Sequence, residues 1–189
     1  MSRILILSSG LVNSHQYVLP FIDRLEAHLR KSSDFVDIRN IRTFDERTFF
    51  EYDQVIFVFM IQMNSIPSST LEIFEKLEKY KKNNAEVYAL ILSDEYECEK
   101  CDYAHKVLKN WCDKEGLYMK GTLKVGSSLV IMNSSHKYVT SNRIKQFASA
   151  IVNHEEAFLT DTLFSQTSFL TKANQFWNKE IKNNKKKDK

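Results

Sequence analysis

The sequence predicts a three-layer α/β sandwich: a parallel sheet with helices on both faces. Three observations carry this. The run Arg3 to Leu7 is β-branched and Leu-rich and does not alternate, which suits a strand covered on both sides. Similar apolar runs recur along the chain, with segments of helical spacing between most of them. With 4 Gly and 2 Pro in 189 residues, there is little turn material for a sandwich of many short strands.

The elements follow in order. The first strand, Arg3 to Leu7, ends in Ser8-Ser9-Gly10. A helical segment places Phe21, Ile22, Leu25 and Leu29 on one face, and Pro20 sits near its start. Proline cannot donate to the carbonyl of Gln16, so either the regular helix begins near Leu19 or it kinks. Phe35 to Ile41 is a shorter, more polar strand and reads as an edge, and Gln54 to Phe59 is the most hydrophobic strand. Ser69-Thr-Leu-Glu72 has the capping-box spacing and opens a helix through Leu71, Phe74 and Leu77. Its Lys-rich end, Lys79 to Lys82, suits the macrodipole. Glu86 to Leu92 is the fourth strand. Tyr103, Val107, Leu108 and Trp111 mark a helix closed by Gly116 as a C′ residue. Tyr118 to Val125 is the fifth strand, with room to extend through Leu129 to Met132. Ser141 or Asn142 caps a last domain helix holding Ile144, Phe147, Ala148 and Ile151.

These elements assign residues 1–155 to one domain. Residues 156–182 read as a C-terminal helical extension, and 183–189 as a basic, disordered tail. Leu163, Leu170 and Trp177 are seven apart, a helical stripe that suits packing on the domain or a dimer contact.

Charge narrows the partners. The last eleven residues hold six Lys against Glu180 and Asp188, a net +4 that exceeds the +3 of the whole chain and leaves the rest at −1. The basic balance belongs to the tail, so nucleic-acid binding is not expected. Phe57, Phe59 and Tyr88 read as sheet core. No run of about 18 apolar residues suggests a membrane span. The N-terminus reads as a strand rather than a signal peptide. Three Cys do not make a disulfide framework, and the expected compartment is the reducing cytoplasm.

In an open parallel sheet, ligands sit beyond the carboxyl ends of the strands. The loop after the first strand, Ser8, Ser9, Gly10 through Asn13, Ser14, His15 and Gln16, is rich in hydroxyl and amide groups and precedes a helix start. A phosphate is a natural guest there, and simple helix capping is the alternative. Neither G-x-G-x-x-G nor G-x-x-x-x-G-K-[ST] is present, and G-x-S-x-G and H-E-x-x-H are also missing. Cys98-x-x-Cys101 with His105 is compatible with a redox dithiol, with half a zinc site, or with two ordinary cysteines whose pKa the helix start lowers. Cys112 is too far along the helix from His105 to share a metal. His28, His136 and His154 show no partner spacing and read as surface or helix residues. No catalytic side chain and no metal ligand is assigned.

The segments ILILSSG…NSHQY, DQVIFVFMIQMNSIPSS, VYALILSDEY and LKNWCDKEGLYMKGTLKVGSS resemble the flavodoxin-like NAD(P)H-dependent FMN and quinone reductases over roughly residues 3 to 155. The resemblance implies a five-stranded sheet of order 2-1-3-4-5 with an extra C-terminal helix. It implies a homodimer and a non-covalent FMN that takes hydride from NAD(P)H and passes electrons to a small-molecule acceptor. Ser8 to Gln16 would hold the phosphate. Met60, Ile61, Gln62, Met63 and Asn64 would flank one side of the ring, and Ser93, Asp94, Glu95 and Tyr96 the other. The departures are specific. Met60 and Gln62 replace Pro and Tyr, Asn64 and Ser68 replace Gly, Leu11-Val12 displace a basic residue, and Asp94-Glu95 replace a Gly-containing turn. They open the alternative of a degenerate flavin site on a binding or interaction module.

Overall fold

The computed structural model describes residues 2–9, 15–33, 35–61, 63–80 and 85–187. Strands β1 (Arg3–Ser9), β2 (Phe35–Asn40), β3 (Gln54–Met60), β4 (Glu86–Leu92), β5 (Tyr118–Val125) and β6 (Ala157–Asp161) form one sheet of order β2-β1-β3-β4-β5-β6. Every neighbouring pair is parallel. The helices are α1 (His15–Leu29), α2 (Ser68–Leu77), α3 (Asp102–Glu115), α4 (Ser128–Ile131), α5 (Lys137–Val152) and α6 (Gln166–Lys187).

Successive strand residues face opposite sides, so each central strand feeds two cores. Ile4, Ile6, Ile56, Val58, Leu90 and Leu92 pack under α1 and α5 with Phe21, Leu25, Ile144 and Phe147. Leu5, Leu7, Val55, Phe57, Phe59 and Ile91 pack under α2 and α3. There Phe74 stacks on Trp111 at 4.3 Å, and Phe57 meets both edge-on.

The sheet has six strands, not five. The sixth, β6, pairs with β5 from Gly121↔Ala157 to Val125↔Asp161. Only its two end residues are buried and its Phe158 faces solvent, so Ala157 to Asp161 carries no continuous apolar signal. Its backbone comes so close to Gly121 that a Cβ there would lie 2.5 Å from the Ala157 carbonyl.

Other departures are local. Pro20 lies inside α1, which starts at His15 rather than near Leu19. The Ser69–Glu72 capping box is not made. Extended Pro67 is the N-cap of α2, and its carbonyl accepts from Thr70 and Leu71 N–H. Gly116, at φ +66°, closes α3 as expected. The fifth strand stops at Val125 and does not reach Met132, because Ser127 turns left-handed (φ 57°) and α4 follows.

The buried acids of these cores predict a pH dependence. Burial, with Cys98 next, pushes the Cys101 thiol up to about 12, and burial pushes Cys112 equally high. Burial and the 2.7 Å hydrogen bond it donates to Asp37 raise Tyr52 to about 12. The unfolded chain releases these protons near the ordinary values of 9.0 and 10.0, while the fold holds them to about 12. Stability is therefore full below about pH 9 and falls as pH rises toward 12. A series of urea midpoints against pH checks this. The fall should be smaller in Cys101→Ala/Cys112→Ala, and a midpoint flat across the window contradicts the account.

Candidate functional site

Strand order reverses between β1 and β3, and the carboxyl ends there stop at one level. Ser9 is in register with Phe59, and Met60 with Leu92. Ser8 and Ser9 close β1 from opposite faces, both only 4% exposed. Neither hydroxyl has a hydrogen-bond partner among the described residues. The chain then enters α1 at His15 and Gln16, whose first-turn N–H groups carry the positive end of the helix dipole. Gly10, Asn13 and Ser14 lie outside the described residues.

After β3, Ile61 turns inward and its N–H donates to Leu92 O at 2.8 Å, tying this loop to β4. Met60 is half-buried against the α1 side. Met63 and Asn64 adopt successive left-handed conformations (φ 49° and 60°), and the Met63 side chain is 99% exposed. Gln62 lies outside the described residues.

After β4, Ser93 is a structural hub. Its N–H donates to Val125 O, its carbonyl accepts from Ser128 N–H, and its hydroxyl accepts from Glu95 N–H. Asp94 is exposed, and Glu95 pairs with Lys100 at 3.3 Å. The Tyr96 carbonyl accepts from the Thr162 hydroxyl at 2.5 Å, and the Tyr96 ring packs on Phe169 of α6, centroids 5.8 Å apart. Phe176, two turns further along α6, meets Tyr17 of α1 edge-on at 5.6 Å. The structure thus gathers the ends of β1, β3 and β4 at one rim and lays α6 along it.

The contribution of α6 was misplaced in the sequence. Its inward stripe is Phe169, Ala173 and Phe176, one residue out of step with Leu170 and Trp177, both more than half exposed, with Trp177 at the border of the same cleft. Leu163 is buried but precedes the helix. The aromatic pair at i and i+7 was the available signal.

The cysteines are not activated. Cys98 to Cys101 forms a 3-10 turn with both residues buried, and Cys101 Sγ donates to Ile91 O at 3.7 Å. Burial raises the Cys98 thiol as well, so desolvation outweighs the helix-start effect expected to lower it. All three cysteines are free thiols. No group of three or more His, Cys, Asp or Glu among the described residues is placed to hold a metal. His105 turns to Thr122, Nδ1 to Oγ1 2.9 Å, and burial followed by Lys124 lowers its pKa. His136 is not a surface residue. It is buried, with Nε2 2.8 Å from Asp161 Oδ1 and the Phe164 ring at 4.2 Å. This pair was invisible in the sequence because it needs β6 to bring position 161 beside α5.

No family model matches the sequence, and no curated protein is recognisably similar to it. Solved structures are similar in fold. Oxidised flavodoxin 2 from Bacillus cereus gives a TM-score of 0.65 at 15% identity, covering 81% of this chain and 99% of its own. The azoreductase from Bacillus anthracis str. Sterne gives 0.63 at 11% identity, covering 82% and 100%. The fold is flavodoxin-like. A Fusobacterium nucleatum flavodoxin described as bound to flavin mononucleotide gives 0.59 at 15% identity over 82% of this chain and all of its own. Ser8, Ser9, Met60, Ile61 and Ser93 to Tyr96 lie at or just beyond the carboxyl ends of β1, β3 and β4. No helix among the described residues is long and apolar enough to cross a membrane.

Proposed function

We propose that this flavodoxin-like domain holds FMN non-covalently at the rim of β1, β3 and β4 and acts as an NAD(P)H-dependent oxidoreductase of the FMN or quinone reductase type. The observation that carries the reading is the buried hydroxyls of Ser8 and Ser9, neither with a hydrogen-bond partner among the described residues, next to the first turn of α1. A buried hydroxyl without a partner costs about 1–3 kcal/mol, and an anionic phosphate satisfies it with a charge-assisted bond. The residues present therefore fit the phosphate end of the cofactor. Gly10, Asn13, Ser14, His15 and Gln16 would complete this cradle. Met60 and Ile61, with Gln62, Met63 and Asn64, would border one side of the ring, and Ser93 to Tyr96 the other.

FMN would supply hydride chemistry to a small-molecule electron acceptor. The chain's own part is placement and field. The strand ends fix the rim, and the Ile61–Leu92 tie holds the two ring loops together. Asp94, which has no ion pair among the described residues to offset it as Lys100 offsets Glu95, would place negative charge beside the ring. No side chain acts as acid or base in the hydride step. A cytoplasmic homodimer is the assembly that fits this activity.

A second reading is favoured by one contact. Phe169 already packs on the Tyr96 ring that a flavin would use, as in an interaction module with a closed site. Anaerobic addition of NADH or NADPH to the FMN-loaded protein separates the two. The reductase bleaches the yellow flavin band and regains it on addition of quinone. A band that persists with both nucleotides removes the reductase assignment.

A further inference from the structure

The helix α6 differs from the domain helices in how it is held. No described side chain of α6 falls in the fully buried class, whereas α1 and α5 each bury a row of apolar residues. It touches the body through Phe169, Ala173 and Phe176, and these reach two places. Phe169 meets Tyr96 in the loop after β4, and Phe176 meets Tyr17 in the first turns of α1. Between them a cleft of about 40 Å³ is lined by Asp94, Leu129, Val130, the inner face of the helix and Trp177. One loosely seated helix therefore reaches from the loop after β4 to the first turn of α1.

Its root, by contrast, is fixed. Asp161 ends β6 with its carboxylate 2.8 Å from His136 Nε2 and its carbonyl accepting from Gly126 N–H at 2.9 Å. The Thr162 hydroxyl donates to Tyr96 O. Leu163, buried in the core, extends this anchor, and two exposed residues, Phe164 and Ser165, separate it from the lightly docked element that begins at Gln166. That is the construction of a hinged cover, since regions with few buried contacts open at low free energy while their neighbours stay folded.

We propose that α6 is a lid over the rim, closed in this structure by Phe169 on Tyr96 and Phe176 on Tyr17, and that it swings about residues 164–165 to admit a planar aromatic ligand. The role of the ligand rests on the flavin reading, but the opening itself does not. Closure and ring stacking compete for Tyr96, so a bound ring displaces Phe169.

Amide hydrogen exchange on the full chain, without ligand, tests the lid. Residues 166–183 should exchange at least about tenfold faster than α5, and Phe169→Ala/Phe176→Ala should speed them about tenfold more while leaving α5 unchanged. Both substitutions sit on the half-exposed face of α6, and an unchanged far-UV spectrum confirms the folded chain. Exchange in α6 as slow as in α5, or unmoved by the double substitution, overturns the proposal. FMN added next should enter Phe169→Ala/Phe176→Ala faster than the parent chain, and equal entry rates also overturn it. Failure of both proteins to take up FMN sinks the flavin reading alone, because the exchange difference is read before any ligand is present.

Discussion

Ser8→Ala/Ser9→Ala binds FMN at least about tenfold more weakly than the parent chain, yet its flavin-free form melts higher. Both halves come from the same fact. In the free chain the two hydroxyls are buried and unpartnered among the described residues, so removing them relieves a desolvation cost. The gain is about 1 kcal/mol for each, or a rise of roughly 2–4 °C per kcal/mol for a chain of this size. With FMN present, the Ser8 hydroxyl, on the α1 face of the strand, donates to phosphate, and a hydrogen bond to a charged group contributes about 1.5–3 kcal/mol. Riboflavin, which lacks the phosphate, loses no affinity in the variant. Scanning calorimetry and fluorescence titration read the two effects separately. A variant that melts lower shows that the hydroxyls are structural.

Gly126→Ala destabilises the fold by about 3 kcal/mol, lowering the melting temperature by roughly 6–12 °C. A Cβ at 126 would lie 2.4 Å from Tyr96 O and 3.0 Å from Cys98 N, both backbone atoms that no rotamer change moves. Relief requires the loop after β4 to retreat, which breaks the Thr162–Tyr96 bond and shifts Asp94 to Tyr96. FMN affinity falls with stability, because that loop borders the ring. Gly116→Ala is the matched control. Nothing lies within 4 Å of its Cβ, so its cost is the left-handed backbone alone, about 1–2 kcal/mol. Thermal melts of the two variants should rank in that order, and equal losses contradict the steric account.

The central architecture was legible because the chain states it repeatedly. Five strands carry apolar residues that must be covered, and both cores follow from their alternation. The rim was legible for the same reason: once the strand ends are placed, Ser8, Met60 and Ser93 arrive together. What escaped depends on contacts across long sequence separations. Ala157 to Asp161 is half polar and becomes a strand only because Gly121 lets its backbone approach. His136 finds Asp161 only once that strand exists. The inner face of α6 is decided by Tyr17 and Tyr96, about 70 to 160 residues away along the chain, a distance at which helical periodicity says nothing about which of two adjacent stripes turns inward. The fate of Cys98 and Cys101 was likewise a matter of burial, which the spacing of two cysteines does not encode.

The proposed chemistry requires a phosphate-bearing flavin to enter the rim between α1 and the loop after β4. Titrating the unaltered protein into FMN, with flavin fluorescence as the signal, addresses this most directly. The prediction is quenching that saturates at one FMN per chain with a dissociation constant of about 1 µM or lower, corresponding to about −8 kcal/mol, and markedly weaker quenching of riboflavin. Fluorescence that stays unquenched at protein concentrations of about 100 µM, or that is quenched equally for both flavins, contradicts it.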